Sequence, residues 1–326
     1  MDTLLEMLID SDYITGEVIC DKLKMTRAAV WKRIEKLRKD GYVIEGVNKK
    51  GYCLQGVSNS ILPAIIKKEL KTKWAGRGEI VYSKEMTSTN RIAKEKGHEG
   101  LPHGSVVICE HQTAGKGRLG RVWDDESGVA LTHTLLLRPN LAIEQVALCT
   151  LACALSMAEA IETIAPSVEV GIKWPNDLII NGKKCAGILS EMTADMDGLQ
   201  FLILGVGVNV NQSSFSEELQ DKAISISMAT NGQIHCRREL LLAYLKQIEI
   251  HMDELCSDGL SAMMDSYSKR SATLGKVVNV IGMKESFIGE AISIDDTGAL
   301  IVKDEQGENR RVLAGDVSVR GLLGYV

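Results

Sequence analysis

The first 55 residues combine three helical stretches of apolar positions with two short β-like runs. The second helical stretch lies within Glu17–Leu23, and the third follows Thr26, a residue type that often caps a helix. The two β runs, Tyr42–Glu45 and Gly51–Leu54, are joined by a polar turn. Because a helix-turn-helix followed by a hairpin is the pattern of a winged helix, we assign residues 1–60 to such a domain.

Residues 61–270 alternate strand-like apolar runs with helical stretches, a pattern typical of a mixed β-sheet packed against helices. The sequence predicts strands at Ile80–Tyr82, Ser105–Cys109, Val129–Leu137, Val168–Lys173 and Phe201–Asn211, and a hairpin that turns at Asn181-Gly182. It predicts helices at Ile65–Lys73, from Arg91, at Gln145–Ile164, at Arg237–Cys256 and from Leu260. Ser88 and Thr89 fall at the start of the helix that contains Arg91, where we expect their hydroxyls to cap it or its free amides to bind an acceptor group.

Residues 271–326 form a third region, in which the pattern becomes entirely β. Its strands are predicted at Lys276–Val280, Ile288–Ile294, Leu300–Lys303 and Arg311–Ala314. So few short strands predict a small barrel. The fold class is therefore a multidomain α+β protein.

Charge changes the interpretation of the N-terminal region. The whole chain has a formal net charge of -5, yet Lys22 to Lys50 contains ten Lys and Arg against three acidic residues, a local charge of +7. Such concentration of positive charge favours nucleic acid as the partner of this region. We expect DNA contacts from the third helix and the wing, at Arg27, Ala28, Trp31, Lys32, Arg33, Lys49 and Lys50. A solvated basic face on a three-helix scaffold is the alternative.

Composition indicates which cellular compartment the protein occupies and whether it has a metal site. The eight cysteines are scattered, without the spacing of a zinc site, and the N-terminus lacks the pattern of a signal peptide. No apolar stretch was expected to reach the length needed to cross a bilayer. We therefore predict a reducing, cytoplasmic protein with no membrane partner and no metal ligands in the chain.

The most distinctive stretch is Gln112–Trp123, which follows a predicted strand and contains three glycines and three cations. Glycines let the backbone approach a ligand, and Lys116, Arg118 and Arg121 repel one another unless an anion binds among them. A closing tryptophan adds a flat surface for a planar ring, so the stretch favours a nucleotide site. No amphipathic helix follows the loop, and no Lys-Ser or Lys-Thr follows Gly120, so the dinucleotide and P-loop motifs are both disfavoured. A solvated basic loop remains the alternative.

Five segments in this order resemble the bifunctional biotin–protein ligase and biotin operon repressor family. The segments are Thr87–Asn90, Gln112–Trp123, Lys173–Leu178, Lys184–Glu191 and Gly205–Asn211. The resemblance runs the whole chain, and it implies an N-terminal winged helix, a class II synthetase-like ligase domain and a C-terminal SH3-like barrel. It further implies that biotin and ATP form biotinyl-5′-AMP with Mg²⁺, and that biotin passes to a lysine of a biotin carboxyl carrier domain, as in acetyl-CoA carboxylase or pyruvate carboxylase.

The resemblance also assigns roles to residues of this chain. The residues implied to bind biotin are Ser88, Thr89, Asn90, Gln112, Gly115, Lys116, Gly117, Arg118, Lys184 and Gly187. Those implied to bind ATP are Arg118, Arg121, Trp123, Asn176, Lys184 and Asn209. Arg118 and Lys184 would hold the two reacting anions, and Asp177 would either accept a proton from the acceptor lysine or hold a turn. As a regulator, the family forms an adenylate-bound homodimer on operator DNA.

The sequence departs from the family's pattern at two places, and it leaves two rival functions open. Lys116 stands where the family often has arginine, and Ala130–His133 lacks the bulky aromatic residue or methionine that the family often has near the ligand. His133 itself is expected to be hydrogen-bonded in place rather than catalytic. The rival functions are a lipoate or octanoate ligase and a catalytically silent sensor that regulates transcription.

Overall fold

The computed structural model describes residues 3–39, 42–55, 59–196, 198–282, 286–314 and 317–321, the last range by its backbone alone. The chain divides into two compact units, residues 1–69 and 70–326, and each is described by itself. The three-domain division with boundaries at residues 60 and 270 stays a prediction.

The first unit is the helix-turn-helix and hairpin that the sequence predicts. Its elements are α1 (Thr3–Ile9), α2 (Gly16–Leu23), α3 (Arg27–Lys39), β1 (Val43–Val47), β2 (Gly51–Gln55) and α4 (Pro63–Glu69). The Ala29 amide donates to Thr26 Oγ1 at 3.3 Å, so the expected cap of α3 is confirmed. Leu8, Ile19 and Ile34 are buried in one core beneath the three helices.

The second unit is built on a mixed seven-stranded sheet. Its elements are β3 (Ile80–Met86), α5 (Thr89–His98), β4 (Ser105–Gln112), β5 (Ala130–Leu137), α6 (Val146–Ile164), β6 (Gly171–Lys173), β7 (Asp177–Ile180), β8 (Lys183–Asp195), β9 (Gly198–Asn209), α7 (Ile226–Ala229), α8 (Arg237–Asp258) and α9 (Ser261–Arg270). The strand order is β3-β4-β5-β9-β8-β7-β6, with β3 and β4 parallel and the remaining pairs antiparallel. Asn181 and Gly182 both have positive φ, which confirms the predicted hairpin turn.

A small antiparallel sheet completes the second unit. Its strands are β10 (Val277–Gly282), β11 (Ser286–Ile294), β12 (Leu300–Asp304), β13 (Asn309–Val312) and β14 (Val317–Gly321), in the order β13-β12-β11-β10-β14. The last strand was not predicted. The Trp174 indole donates to the Gly298 carbonyl at 3.1 Å, which ties this sheet to the turn before β7.

Several predicted boundaries are wrong, and at two of them a carboxylate of another element takes backbone amides. The helix expected to reach Lys73 ends at Glu69, and the amides of residues 73–75 donate to Glu249 of α8. The strand expected from Val168 begins at Gly171, and the Val170 amide donates to Glu162 of α6 at 3.2 Å. Partners of this kind leave no periodic signal in the sequence. The strand expected to end at Tyr82 continues to Met86, and the one expected to end at Cys109 continues to Gln112.

The expectation about membrane-crossing length is also wrong. The segment Ile143–Ile164 is 22 residues long with a mean hydropathy of 1.5, and 72% of its apolar stretch is buried within the protein. Its helix, α6, packs against α8 and the sheet, so its apolar composition is that of a core helix.

Candidate functional site

A cavity opens on the face of the central sheet where β4, β8 and β9 meet the glycine loop. It is lined by Ser88, Thr89, Asn90, Gln112, Lys116, Gly117, Arg118, Trp123, Thr132, Asn176, Lys184, Gly187, Ile188, Leu189, Gly205, Val206 and Gly207. The structure thus brings together residues from all five family segments. Segments up to about 120 residues apart in the chain meet because β4, β5, β9 and β8 are neighbours in the sheet.

One end of the cavity is made of hydroxyls and amides at the start of α5. Ser88 occupies the N-cap position, yet its side chain makes no capping hydrogen bond among the described residues, so the capping alternative is wrong for Ser88. The Thr89 amide instead donates to Gln112 Oε1 at 2.8 Å. Asn90 packs where a Cβ on Gly205 would come within 1.9 Å of Asn90 Oδ1, so β9 needs a glycine there.

The other end of the cavity is cationic, and its two central cations already have partners. Lys184 Nζ lies 2.5 Å from Asp177 Oδ1. Arg118 Nη1 donates to Asn176 Oδ1 at 2.7 Å, and Nη2 donates to the Ala314 carbonyl of the small sheet. Burial lowers the pKa of the Arg118 guanidinium, while the nearby Asp177 charge acts in the opposite direction. Two concentrated positive charges therefore face the place where anions would bind.

Trp123 closes the glycine loop over the sheet. A Cβ on Gly207 would come within 2.4 Å of the Trp123 ring, so only glycine lets the indole lie on β9. Lys184 Nζ is 5.8 Å from the centroid of the Trp123 ring. Among the described residues, the buried indole Nε1 has no hydrogen-bond partner.

Four residues of the predicted site do not line the cavity. Gly115 belongs to the glycine loop but does not line the cavity. A Cβ at this position would come within 2.3 Å of the Trp123 carbonyl oxygen. Arg121 is exposed, and Asn209 is buried and donates to the Ile224 carbonyl at 3.4 Å. Asp177 is bonded to Lys184, which lines the cavity. Their predicted ligand roles stay predictions.

Six lining residues were not among the predicted site residues. They are Thr132, Ile188, Leu189, Gly205, Val206 and Gly207. The sequence did indicate that Gly205 and Gly207 of β9 allow another group to lie against the strand. Thr132 and the aliphatic residues have no motif of their own, since they are single strand positions facing inward.

Metal ligands are not concentrated in this part of the molecule. Within the described ranges, no group of three or more His, Cys, Asp or Glu side chains could hold a metal ion. The carboxylate nearest the cationic end, Asp177, is already paired with Lys184.

His133, on β5, faces away from the cavity. It is fully buried beside Tyr244, and neither ring nitrogen has a hydrogen-bond partner in the part of the chain that the structure describes, so the expectation of a hydrogen-bonded histidine is wrong. Burial lowers its pKa to about 3, so the ring is neutral and serves as core packing.

The predicted DNA contacts lie on the surface of the first unit. Arg27, Ala28, Trp31 and Lys32 are exposed on α3, Arg33 is half-buried, and Lys49 and Lys50 are exposed at the turn between β1 and β2. Arg27 pairs with Glu17 of α2 at 2.7 Å, and Lys50 Nζ lies 5.1 Å from the centroid of the Tyr13 ring. This arrangement presents positive charge on the helix and wing that would face a duplex.

Comparison with known proteins finds three family models that match separate segments of the chain. A helix-turn-helix domain matches residues 1–53, the biotin/lipoate A/B protein ligase family matches residues 82–209, and a biotin protein ligase C-terminal domain matches residues 273–320. The bifunctional ligase/repressor BirA of Bacillus spizizenii is 34% identical over 95% of this chain and 94% of its own length. The biotin–acetyl-CoA-carboxylase ligase of Mycobacterium tuberculosis is 29% identical over 78% of this chain and 96% of its own.

A solved structure resembles this chain over about three quarters of its length. The biotin protein ligase from Aquifex aeolicus in complex with biotin and ATP matches with a TM-score of 0.64 and 28% identity, covering 74% of this chain and 99% of that chain.

Proposed function

The chain belongs to the family of bifunctional biotin–protein ligases and biotin operon repressors, and from that premise we propose that it joins biotin to ATP and then to an acceptor lysine. The observation that carries the proposal is the single cavity in which a hydroxyl-and-amide end adjoins a cationic end. The first suits a neutral ureido ring, which both donates and accepts hydrogen bonds. The second suits a carboxylate and an α-phosphate.

In the first step the biotin carboxylate attacks the α-phosphate of Mg-ATP, forming biotinyl-5′-AMP and releasing pyrophosphate. Two anions must approach each other, and Arg118 and Lys184 lower that barrier by placing fixed positive charge beside both. Lys116 adds charge from the exposed side of the loop. Trp123, lying flat on β9, offers a face for adenine, with Asn176 beside the nucleotide.

In the second step an acceptor lysine attacks the mixed anhydride and displaces AMP. The lysine must lose a proton first, since its ordinary pKa is about 10.4. We propose Asp177, which lies 2.5 Å from Lys184 Nζ, as the group that accepts that proton; the alternative is a structural carboxylate that holds the turn before β7. The acceptor class is a biotin carboxyl carrier domain of acetyl-CoA carboxylase or pyruvate carboxylase.

We further propose that the adenylate-bound chain dimerises and represses a biotin operon through the winged helix. Two copies of α3 would read two half-sites in the major groove. Sedimentation with and without biotin and Mg-ATP tests the dimer: adenylate should shift the chain toward a dimer, and an unchanged sedimentation coefficient would contradict this part.

Pyrophosphate release from Mg-ATP without acceptor tests the ligase. Biotin should support release and octanoate should not. The family model covers lipoate ligases as well, so release with octanoate alone would move the function to that class. No release with either acid would leave a ligand sensor that regulates transcription.

A further inference from the structure

Asp125 is a buried carboxylate directly behind the cavity, and the function proposed above gives it no role. Its side chain has no solvent exposure. It accepts hydrogen bonds from the Gln112 amide at 3.0 Å, Gln112 Nε2 at 3.3 Å and Thr132 Oγ1 at 2.9 Å. His111 Nδ1 lies 2.8 Å from Oδ1, so that nitrogen carries a proton. Four donors converge on one carboxylate, two of them from Gln112.

This arrangement fixes which way the Gln112 amide points. A carboxylate only accepts, so the Gln112 atom facing Asp125 must be Nε2. On the opposite side, the Thr89 amide and the Thr89 hydroxyl lie 2.8 and 3.1 Å from Gln112 Oε1 and occupy both of its lone pairs. One Nε2–H therefore remains for a ligand, and Gln112 can offer it a donor but no acceptor.

The neighbouring amide of Asn90 is consumed within the protein. Asn90 Nδ2 donates to the Leu189 carbonyl at 3.1 Å and to Glu191 Oε2 at 2.8 Å. Asn90 Oδ1 accepts from Thr134 Oγ1 at 2.7 Å. Because both N–H groups of the Asn90 amide donate to protein atoms, Gln112 is the side-chain amide at this end of the cavity that keeps an N–H for the ligand.

We propose that Asp125 is a positioning residue that determines specificity: it holds Gln112 as a donor and so selects a ligand ring with an acceptor at that point. The inference rests on the proposed function, under which that acceptor belongs to the cyclic urea of biotin. Replacing the carbonyl oxygen by an imino group that is protonated at neutral pH leaves N–H donors and no acceptor at that point, which the fixed Nε2–H rejects.

The variant Asp125→Asn tests this with little change in shape. An amide offers one acceptor atom to four donors, so Gln112 loses its fixed orientation. Relative to the unchanged chain, the biotin KM in pyrophosphate release should rise about tenfold, with kcat and the ATP KM within about twofold. The ratio of the 2-iminobiotin inhibition constant to the biotin KM should fall. A residue that only stabilised the fold would lower all activities together and leave that ratio unchanged.

Asp124→Asn is the matched control, since it makes the same charge change at an exposed neighbouring position. It should leave every constant unchanged. In a Gln112→Met background, Asp125→Asn should cause no further rise in the biotin KM, because it acts through Gln112.

Three results would overturn the inference. They are a folded Asp125→Asn with an unchanged biotin KM, an equal effect in Asp124→Asn, or equal changes in the biotin and ATP constants. Should Asp125→Asn fail to fold, Thr132→Val removes one donor from the carboxylate, and an unchanged biotin KM there would overturn the inference too. Failure of the proposed function is separate, since the unchanged chain would then show no biotin-dependent release.

Discussion

Two regions of this molecule gather positive charge, and they differ in how that charge is held. On the winged helix, the Arg27 side chain is 78% exposed and its partner Glu17 is 75% exposed. In the cavity, Lys184 is 27% exposed and its partner Asp177 is 14% exposed. Solvent and salt screen exposed charges, so each one contributes little to the free energy of binding or folding. Partly buried charges act at short range, where solvent screens them less.

The difference indicates what each region can do. Many weak, interchangeable contacts suit a regular row of phosphates, where affinity grows with the number of cations. A few fixed charges suit a transition state, where geometry decides the rate. Loss of one cation should therefore be severe in the cavity and mild on the wing.

The largest expected effect is in the cavity. Lys184→Met keeps the length of the side chain but removes its charge, and biotin-dependent pyrophosphate release should fall roughly 100- to 1000-fold. Single-turnover kinetics checks this, with the biotin affinity measured separately by calorimetry. The comparison would be contradicted if the fold loss of pyrophosphate release in Lys184→Met were smaller than the fold loss of DNA affinity in the wing variants described below.

The two units should also respond differently to acid. All six histidines lie in the second unit, and burial lowers the pKa of His133 to about 3. The neutral ring favours the folded state, so stability is present above pH 6.5 and is lost as the pH falls. By pH 4 the loss attributable to His133 should reach about 3 kcal/mol. Denaturant melts of His133→Leu should lack that dependence, and an unchanged slope would contradict the assignment.

A smaller effect is expected for Arg118→Lys, which keeps the charge and loses the planar fork. Lysine cannot hold both Asn176 Oδ1 and the Ala314 carbonyl as arginine does. We expect kcat for adenylate formation to fall about tenfold. Rates equal to those of the unchanged chain would show that charge alone suffices at this position.

The smallest effect is expected on the wing. Replacing Lys49 and Lys50 with alanine should lower DNA affinity modestly and reduce the salt dependence of binding by about two counterions. Fluorescence anisotropy over a salt series measures this, and adenylate formation serves as the internal control. A loss that does not vary with salt would point to base contacts instead.

The sequence predicted the residues that line the cavity better than it predicted the side chains to which they are hydrogen-bonded. Gln112, Arg118, Trp123 and Lys184 stand in short, unusual segments, so their chemistry is visible without a structure. The pairing of Gln112 with Asp125 is not visible, because it depends on how the chain turns after Trp123. Periodicity reports which positions are buried, whereas a buried carboxylate among polar neighbours has no period.

Boundaries failed for the same reason. Glu249 takes backbone amides from a segment about 175 residues away in the chain, where a helix ends. Glu162, on α6, takes the amide of nearby Val170, where a strand is shortened. The order of strands was also beyond the sequence, since nothing local indicates that β5 lies between β4 and β9. Ser88 illustrates the converse case, in which a good cap residue leaves its hydroxyl uncommitted to the helix.

The central claim is that one cavity joins biotin to AMP. Native mass spectrometry of the chain after incubation with Mg-ATP and equal amounts of biotin and octanoate tests it most directly. We predict one biotinyl-5′-AMP bound per chain, and none in Lys184→Met. Bound octanoyl-5′-AMP, or biotin that remains unmodified in the unchanged chain, would contradict the account.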